Sequence, residues 1–250
     1  MRPFRLNQIK GAKEIVKVQG FKKFFKRSYR RYFADPDFEI KNAIKRYSND
    51  YEVFIDIGAA VGSITFSVAS SFSRCICFEP EERNYRDFLN KLKNLGFSNI
   101  QIFNYALGKE KGKKKFFVSE TARLDNRFNI EDNEKFKEYE VEVDTLDNTC
   151  TKLGINEKCV IKIDVQGGEI DVMKGARKLL EYDCAIISEF WPWAMQLNNT
   201  EPSEYVDYMN SMGYSFFDLK NQLLKKEDLE KLCAIKNKKF VHDDFVIKKK

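Results

Sequence analysis

Acidic residues close several short apolar runs in this sequence, and small residues follow the first of them. Asp56-Ile57-Gly58-Ala59-Ala60-Val61-Gly62 leads out of VFIDI, Glu79 ends CICFE, Asp164 ends VIKID and Glu189 lies in AIISEF. A carboxylate at the end of an apolar run must find a partner or do chemistry. The spacing D-x-G-x-x-x-G lets the backbone approach a ligand closely. A dinucleotide site prefers G-x-G-x-x-G with a pyrophosphate on the following helix, and Ala60 stands where its second glycine would be. Glu79, followed by Pro80, sits where a carboxylate accepts both hydroxyl protons of an adenosine ribose. Loop and acid together point to a nucleoside site rather than to a tight turn alone.

The elements that must position these residues alternate. Strands are expected at 53–57, 75–79, 100–104, 160–164, 185–190, 214–219 and 245–248. Helices are expected after Gly62, over 82–95 with Tyr85, Phe88, Leu89, Leu92 and Leu95 on one face, near 169–181 and from Pro202. This is an α/β fold, a doubly wound, mostly parallel seven-stranded sheet covered on both faces. Residues 109–143 interrupt the rhythm with two extra strands, KKFFVS and YEVEV, around a polar loop, and read as a β insertion. Residues 1–50 read as a basic amphipathic helical arm and 51–250 as the domain.

Ligands of such sheets bind at the carboxyl ends of the strands, where Asp56, Gly58, Glu79, Asn104, Asp164, Glu189 and Asp218 fall. Glu169 opens a helix, where an acid either caps the dipole or meets substrate. Lys162 shares a strand face with Asp164, as an ion-pair partner or a catalytic amine. Trp191 and Trp193, the chain's two tryptophans, offer a platform for the apolar face of a sugar or plug the sheet. If the last strand runs antiparallel, the single histidine, His242, starts it on the active-site side, where it could accept a proton. The acids could also hold a divalent metal, without any diagnostic ligand spacing. The six cysteines, with Cys75 and Cys77 on one strand face, read as buried reduced thiols and suggest the cytoplasm.

VFIDIGAAVG, CFEPEERNYRDF, IFNYALG, VDTLD, IKIDVQGGEIDVMKGARKLL and AIISEF resemble, in order, the motifs of the FkbM-type S-adenosylmethionine-dependent methyltransferases, over about residues 51–219. The resemblance implies a class I, Rossmann-like methyltransferase that methylates hydroxyl groups, commonly on sugars of glycolipids, polysaccharides or natural products. It implies that Asp56, Gly58, Ala60 and Gly62 hold the methionine part of the cofactor, Glu79 the ribose, and Asn104 and Ala106 the adenine side, with Asp164 beside the sulfonium. Asp164, Glu189 and His242 are then the candidate catalytic groups, and Glu169, Trp191 and Trp193 the candidate acceptor contacts. The chain departs from the family at Ala60, often Asn, and at Gln166, often Glu. Those departures would suit a cofactor-binding or partner-binding module without chemistry.

Of the net charge of +6, residues 1–33 supply +10, from eleven Lys/Arg against Glu14, leaving −4 on the remainder. The basicity therefore belongs to one segment. Phe24, Phe25 and Tyr29 could stack on bases, but their helical spacing explains them as a packing face, which makes nucleic acid the weaker partner. An anionic membrane surface or an anionic glycan fits the arm, as does simple packing on the domain. No apolar stretch approaches the roughly 18 residues of a membrane span, and no export signal is evident. The expectation is a cytoplasmic protein, peripheral at a membrane if the arm binds one.

Overall fold

The computed structural model describes residues 35–119, 127–130, 136–236, 239 and 241–250. The helical arm of residues 1–33, with its charge and its membrane or glycan partner, lies outside them. So does most of the polar loop within the insertion.

Helix α1 (Phe38–Arg46) is followed by β1 (Val53–Ile57), α2 (Ser63–Val68), β2 (Arg74–Phe78), α3 (Glu82–Leu95) and β3 (Ile100–Phe103). A second sheet is made by β4 (Ala106–Leu107), β5 (Gly112–Ser119) and β6 (Phe136–Asp144), in the order β4-β6-β5. Then come α4 (Leu146–Leu153), β7 (Cys159–Ile163), α5 (Glu169–Lys174), β8 (Ala185–Phe190), α6 (Pro192–Leu197) and α7 (Pro202–Ser211). Strand β9 (Tyr214–Phe217), α8 (Lys226–Cys233) and β10 (Asp243–Lys249) complete the chain. The main sheet has the order β3-β2-β1-β7-β8-β10-β9, with β10 antiparallel to both neighbours. Among the described residues, no helix is long and apolar enough to cross a membrane.

Alternation within buried strands builds two cores. Val53, Ile55 and Ile57 join one cluster, whereas Phe54 joins the other, on the opposite face of the sheet. Cys75 and Cys77 lie on that second face, fully buried, and burial pushes both thiols well up. They are packing groups.

Three expectations need correction. Helix α1, assigned by sequence to the arm, packs on the sheet with Ala43 and Ile44 fully buried. Its Arg46 donates to the Leu219 carbonyl at 3.0 Å, so the domain body begins before residue 51. The helix expected near 169–181 ends at Lys174. Beyond it, the Asp147 carboxylate accepts the Lys178 and Leu179 N–H groups at 2.9 and 3.0 Å and holds the chain in a turn. Leu89 and Leu95 do not share the buried face of Phe88 but are 38% and 57% exposed.

The central register places Asp56 opposite Lys162. Lys162 Nζ lies 3.4 Å from Asp56 Oδ1, with both side chains almost wholly buried, so the ion-pair reading of this lysine is the one the fold uses. Burial works against the ammonium, but Asp56, Asp164 and Glu189 outweigh it and raise its pKa. Removing one member of a buried pair strands the other charge. Lys162→Met is therefore expected to cost about 3–5 kcal/mol of stability in urea unfolding. Adding Asp56→Asn should recover part of that loss, and a cost near zero for the single variant would refute the pair's role.

Candidate active site

The carboxyl ends of β1, β2 and β7 open into a cleft with a cavity volume of about 160 Å³. Gly58, Ala60, Glu79, Ala106, Asp164 and Gln166 line it. Gly58 adopts φ +78°, and a Cβ there would meet the Asp164 carbonyl oxygen at 2.0 Å. Only glycine lets the first loop lie against the end of β7.

Glu79, 5% exposed, is held from two sides. Its Oε2 accepts the Ala60 N–H at 2.8 Å and its Oε1 the Glu81 N–H at 2.9 Å. Each oxygen keeps a lone pair for a further donor. Burial pushes its pKa up to about 7 against the pull of these N–H groups. Ala60 is left-handed, φ +48°, a conformation that costs a non-glycine residue roughly 1–2 kcal/mol. Its N–H bond to Glu79 holds it there.

Asp164 is the most exposed acid of the site, with its side chain 38% exposed. Gln166 Nε2 donates to Asp164 Oδ1 at 2.6 Å and to Glu189 Oε2 at 3.1 Å. Lys162 Nζ lies 3.8 Å from Asp164 Oδ2 and donates to the Gly58 carbonyl at 3.0 Å. His242 Nδ1 lies 2.9 Å from Glu189 Oε1, because antiparallel β10 begins beside the end of β8, with Asp244 opposite Glu189. Burial, reinforced by Glu189, pushes Asp244 up to about 7. Glu189 and His242 do not line the cleft. They reach Asp164 only through the Gln166 amide.

Other candidates lie elsewhere than expected. Asp56 reaches the cleft floor, but Thr65 donates to it at 2.5 Å and Lys162 neutralises it, so it is an anchor. Gly62 turns the chain into α2, and a Cβ there would meet Phe66 and Phe88. Asn104 donates to the Glu79 and Pro80 carbonyls at 2.9 and 3.2 Å and braces the Glu79 loop from outside the cleft. Glu169 is 1% exposed, out of an acceptor's reach. Its Oε1 accepts the Val165 and Gly167 N–H groups, both at 3.2 Å. The rings of Trp191 and Trp193 are buried, 5.2 Å apart between centroids. The Arg127 guanidinium lies 5.0 Å and the Lys239 ammonium 4.7 Å from the Trp193 ring. They form the plug, with no open platform.

The cleft also uses residues that sequence reasoning passed over. Asp37, at the start of α1, and Tyr105, Phe116 and Phe128 line it. Tyr105 adjoins the expected Asn104. Asp37 and Phe128 carried no signal, since one sits in a turn and the other in the insertion. Among the described residues, no group of three or more His, Cys, Asp or Glu is placed to hold a metal ion.

No functionally curated protein matches this sequence. Among solved structures, a methyltransferase FkbM from Methylobacillus flagellatus is similar at 15% identity and TM-score 0.45, over 80% of this chain and 44% of that one. The chain thus spans less than half of that protein's length. A putative methyltransferase from Streptococcus mutans in complex with SAH matches at 9% identity and TM-score 0.47, over 87% of this chain and 99% of that one. A putative rRNA methylase from Clostridium thermocellum matches at 10% identity and TM-score 0.47, over 84% and 95%. The profile of the methyltransferase FkbM domain matches residues 56–216, well over half of the chain and the whole span from the first loop to β9, and the protein belongs to that methyltransferase family.

Proposed function

We propose that the chain transfers the methyl group of S-adenosylmethionine to a hydroxyl of a sugar, in a glycan, glycolipid or polysaccharide precursor. The observation that carries this reading is Asp164, a half-exposed carboxylate at the cleft floor with one oxygen fixed by Gln166.

The residues present fit the cofactor. The two outward lone pairs of Glu79 suit the ribose hydroxyls, and the Gly58–Ala60 backbone leaves room for the methionine part. Tyr105 and Ala106 border the nucleoside side. When bound, the cofactor supplies an electrophilic methyl on a positively charged sulfur. Asp164 then has two tasks. It orients an acceptor hydroxyl in line with the methyl, which supplies most of the rate when the reacting atoms are about 3 Å apart. It also accepts the hydroxyl proton as the new C–O bond forms and the S–C bond breaks. Gln166 cannot relay a proton, so its amide works by holding the Asp164 carboxylate against Glu189 and His242. Glu169 fixes the backbone that carries Gln166, whose φ is +56°.

Calorimetry should show S-adenosylmethionine binding to the full chain, and Glu79→Ala should weaken it by about 1–3 kcal/mol, the scale of hydrogen bonds to a charged group. Because Glu79 stands near 7 and its ionised form accepts both hydroxyls, affinity should rise from pH 6 to pH 8. Equal binding of NAD would contradict the assignment.

Asp164→Asn is expected to keep cofactor binding and lose about 10²-fold or more in turnover with sugar acceptors. Unchanged turnover moves Asp164 to a structural role.

Burial raises Glu169 from 4.5 to about 8. The stability from its neutral form is full below pH 4.5 and is lost as pH climbs toward 8, because the unfolded chain releases that proton earlier. Glu169→Gln mimics the neutral acid and keeps an oxygen for the two N–H groups. Its melting temperature should therefore gain on the wild type between pH 5 and pH 8. A constant difference would show that Glu169 is ionised in the fold.

A further inference from the structure

A second groove, with a cavity volume of about 470 Å³, adjoins the cleft. The two share Leu107 and Phe128. Gly167, which lines the groove, is next in the chain to Gln166, which lines the cleft. Its wall carries four lysines, Lys109, Lys114, Lys115 and Lys174, against two acids, Asp171 and Glu204. Two of the cations are engaged, Lys114 with Asp171 at 3.2 Å and Lys115 with Glu138 at 3.0 Å. Lys109 and Lys174 are exposed and make no ion pair among the described residues. The opposite wall presents amides, with Asn129 donating to Asn198 at 2.7 Å and Asn198 donating to the Gln166 and Ala194 carbonyls at 3.3 and 3.0 Å. At the junction stands the half-buried Phe128 ring, with the Lys114 ammonium 5.6 Å from its centroid.

We infer that this groove is the acceptor site and that the acceptor is an anionic sugar, carrying a carboxylate or a phosphate. The inference rests on the sugar hydroxyl reading above and names the substrate class. Phe128 gives the sugar's apolar face a ring beside the reaction centre, the role expected of the buried tryptophans. Amides suit neutral hydroxyls. Two cations with no ion pair among the described residues suit an anion further along, one residue or substituent from the methylated hydroxyl. A body of charge −4 outside residues 1–33 would otherwise repel such a ligand, so the local excess of lysine selects for it.

The test uses full-length protein saturated with S-adenosylhomocysteine and three probes of one length. These are a uronic-acid oligosaccharide, a phosphorylated oligosaccharide and the neutral parent. At low salt, one anionic probe or both should bind about tenfold tighter than the neutral one, as charge-assisted contacts require. The advantage should shrink when ionic strength shortens the screening length. Which anion binds distinguishes the carboxylate from the phosphate. Lys109→Gln/Lys174→Gln should abolish the preference and leave S-adenosylhomocysteine binding unchanged. It keeps every charge of residues 1–33, so loss of preference in it assigns the effect to the groove. Equal binding of all three probes, no binding of either anion, or a preference that survives the double variant overturns the inference. Methyl transfer is followed in parallel. Binding of anions without transfer to any probe would sink hydroxyl methylation and leave the groove's preference standing, whereas transfer to neutral and charged probes at equal rates would do the reverse.

Discussion

Lys162 Nζ touches the two strand ends that make the cleft. It lies 3.4 Å from the buried Asp56 carboxylate on β1, 3.0 Å from the Gly58 carbonyl in the loop beyond, and 3.8 Å from Asp164 at the end of its own strand. A charge taken out of water survives only if paired and hydrogen-bonded, so the ammonium draws all three groups to itself. Once they are drawn together, the first loop must lie on the β7 terminus, and Gly58 is the residue that allows it. The position of Asp164 relative to the nucleoside end of the cleft follows from this contact.

Burial then divides the acids by task. Asp56 and Glu169 are almost wholly buried and spend their oxygens on Thr65, Lys162 and loop N–H groups. Asp56 ties β1 to α2 and β7 through those side chains, and Glu169 holds the loop before α5 with one oxygen. Glu79 is buried too, but it accepts one N–H on each oxygen and keeps the outward lone pairs. Asp164 alone of the four stays substantially open, which is what contact with a changing substrate needs. Two non-glycine residues in left-handed conformation, Ala60 and Gln166, sit on the two loops that serve Glu79 and Asp164. Both are held by hydrogen bonds to those acids, so local strain is offset at the place where geometry matters most. Asparagine, which FkbM-type sequences often carry at the first position, tolerates that conformation with less cost.

Much of this was legible in the sequence. VFIDI and AIISEF read as strands to the residue because short, mostly apolar runs between polar stretches have few other uses. Glu79 and Asp164 stood out because an acid ending an apolar strand needs a reason. The antiparallel run of β10 was one option the sequence left open; it places His242 beside Glu189 at that edge of the sheet, behind the cleft rather than in it. What remained hidden depended on partners far away in the chain. Helix α1 reads as part of a basic arm until its Ile44 is seen against the second core. Glu169 looks like a solvent-facing cap until the N–H groups of Val165 and Gly167 close over it. Trp191 and Trp193 look like a platform until Arg127, from the insertion, covers them.

That last displacement says where the acceptor's aromatic contact has moved. The insertion contributes Arg127 to one side, burying the tryptophans, and the adjacent Phe128 to the other, at the mouth of the cleft. One short stretch thus both covers the tryptophans and lines the cleft. Arg127 is held in place by its backbone bridge to Phe117 on β5, at 2.8 and 3.0 Å, and Phe128 by an edge contact with Phe116, 5.3 Å between centroids. On the proposed reading, the β insertion shapes the acceptor side, while β1, β2 and β7 shape the donor side. The same insertion carries Lys114 and Lys115 into the groove. If the proposal holds, the sheet sets the donor chemistry, and the side chains that the insertion brings to its edge set the identity of the acceptor.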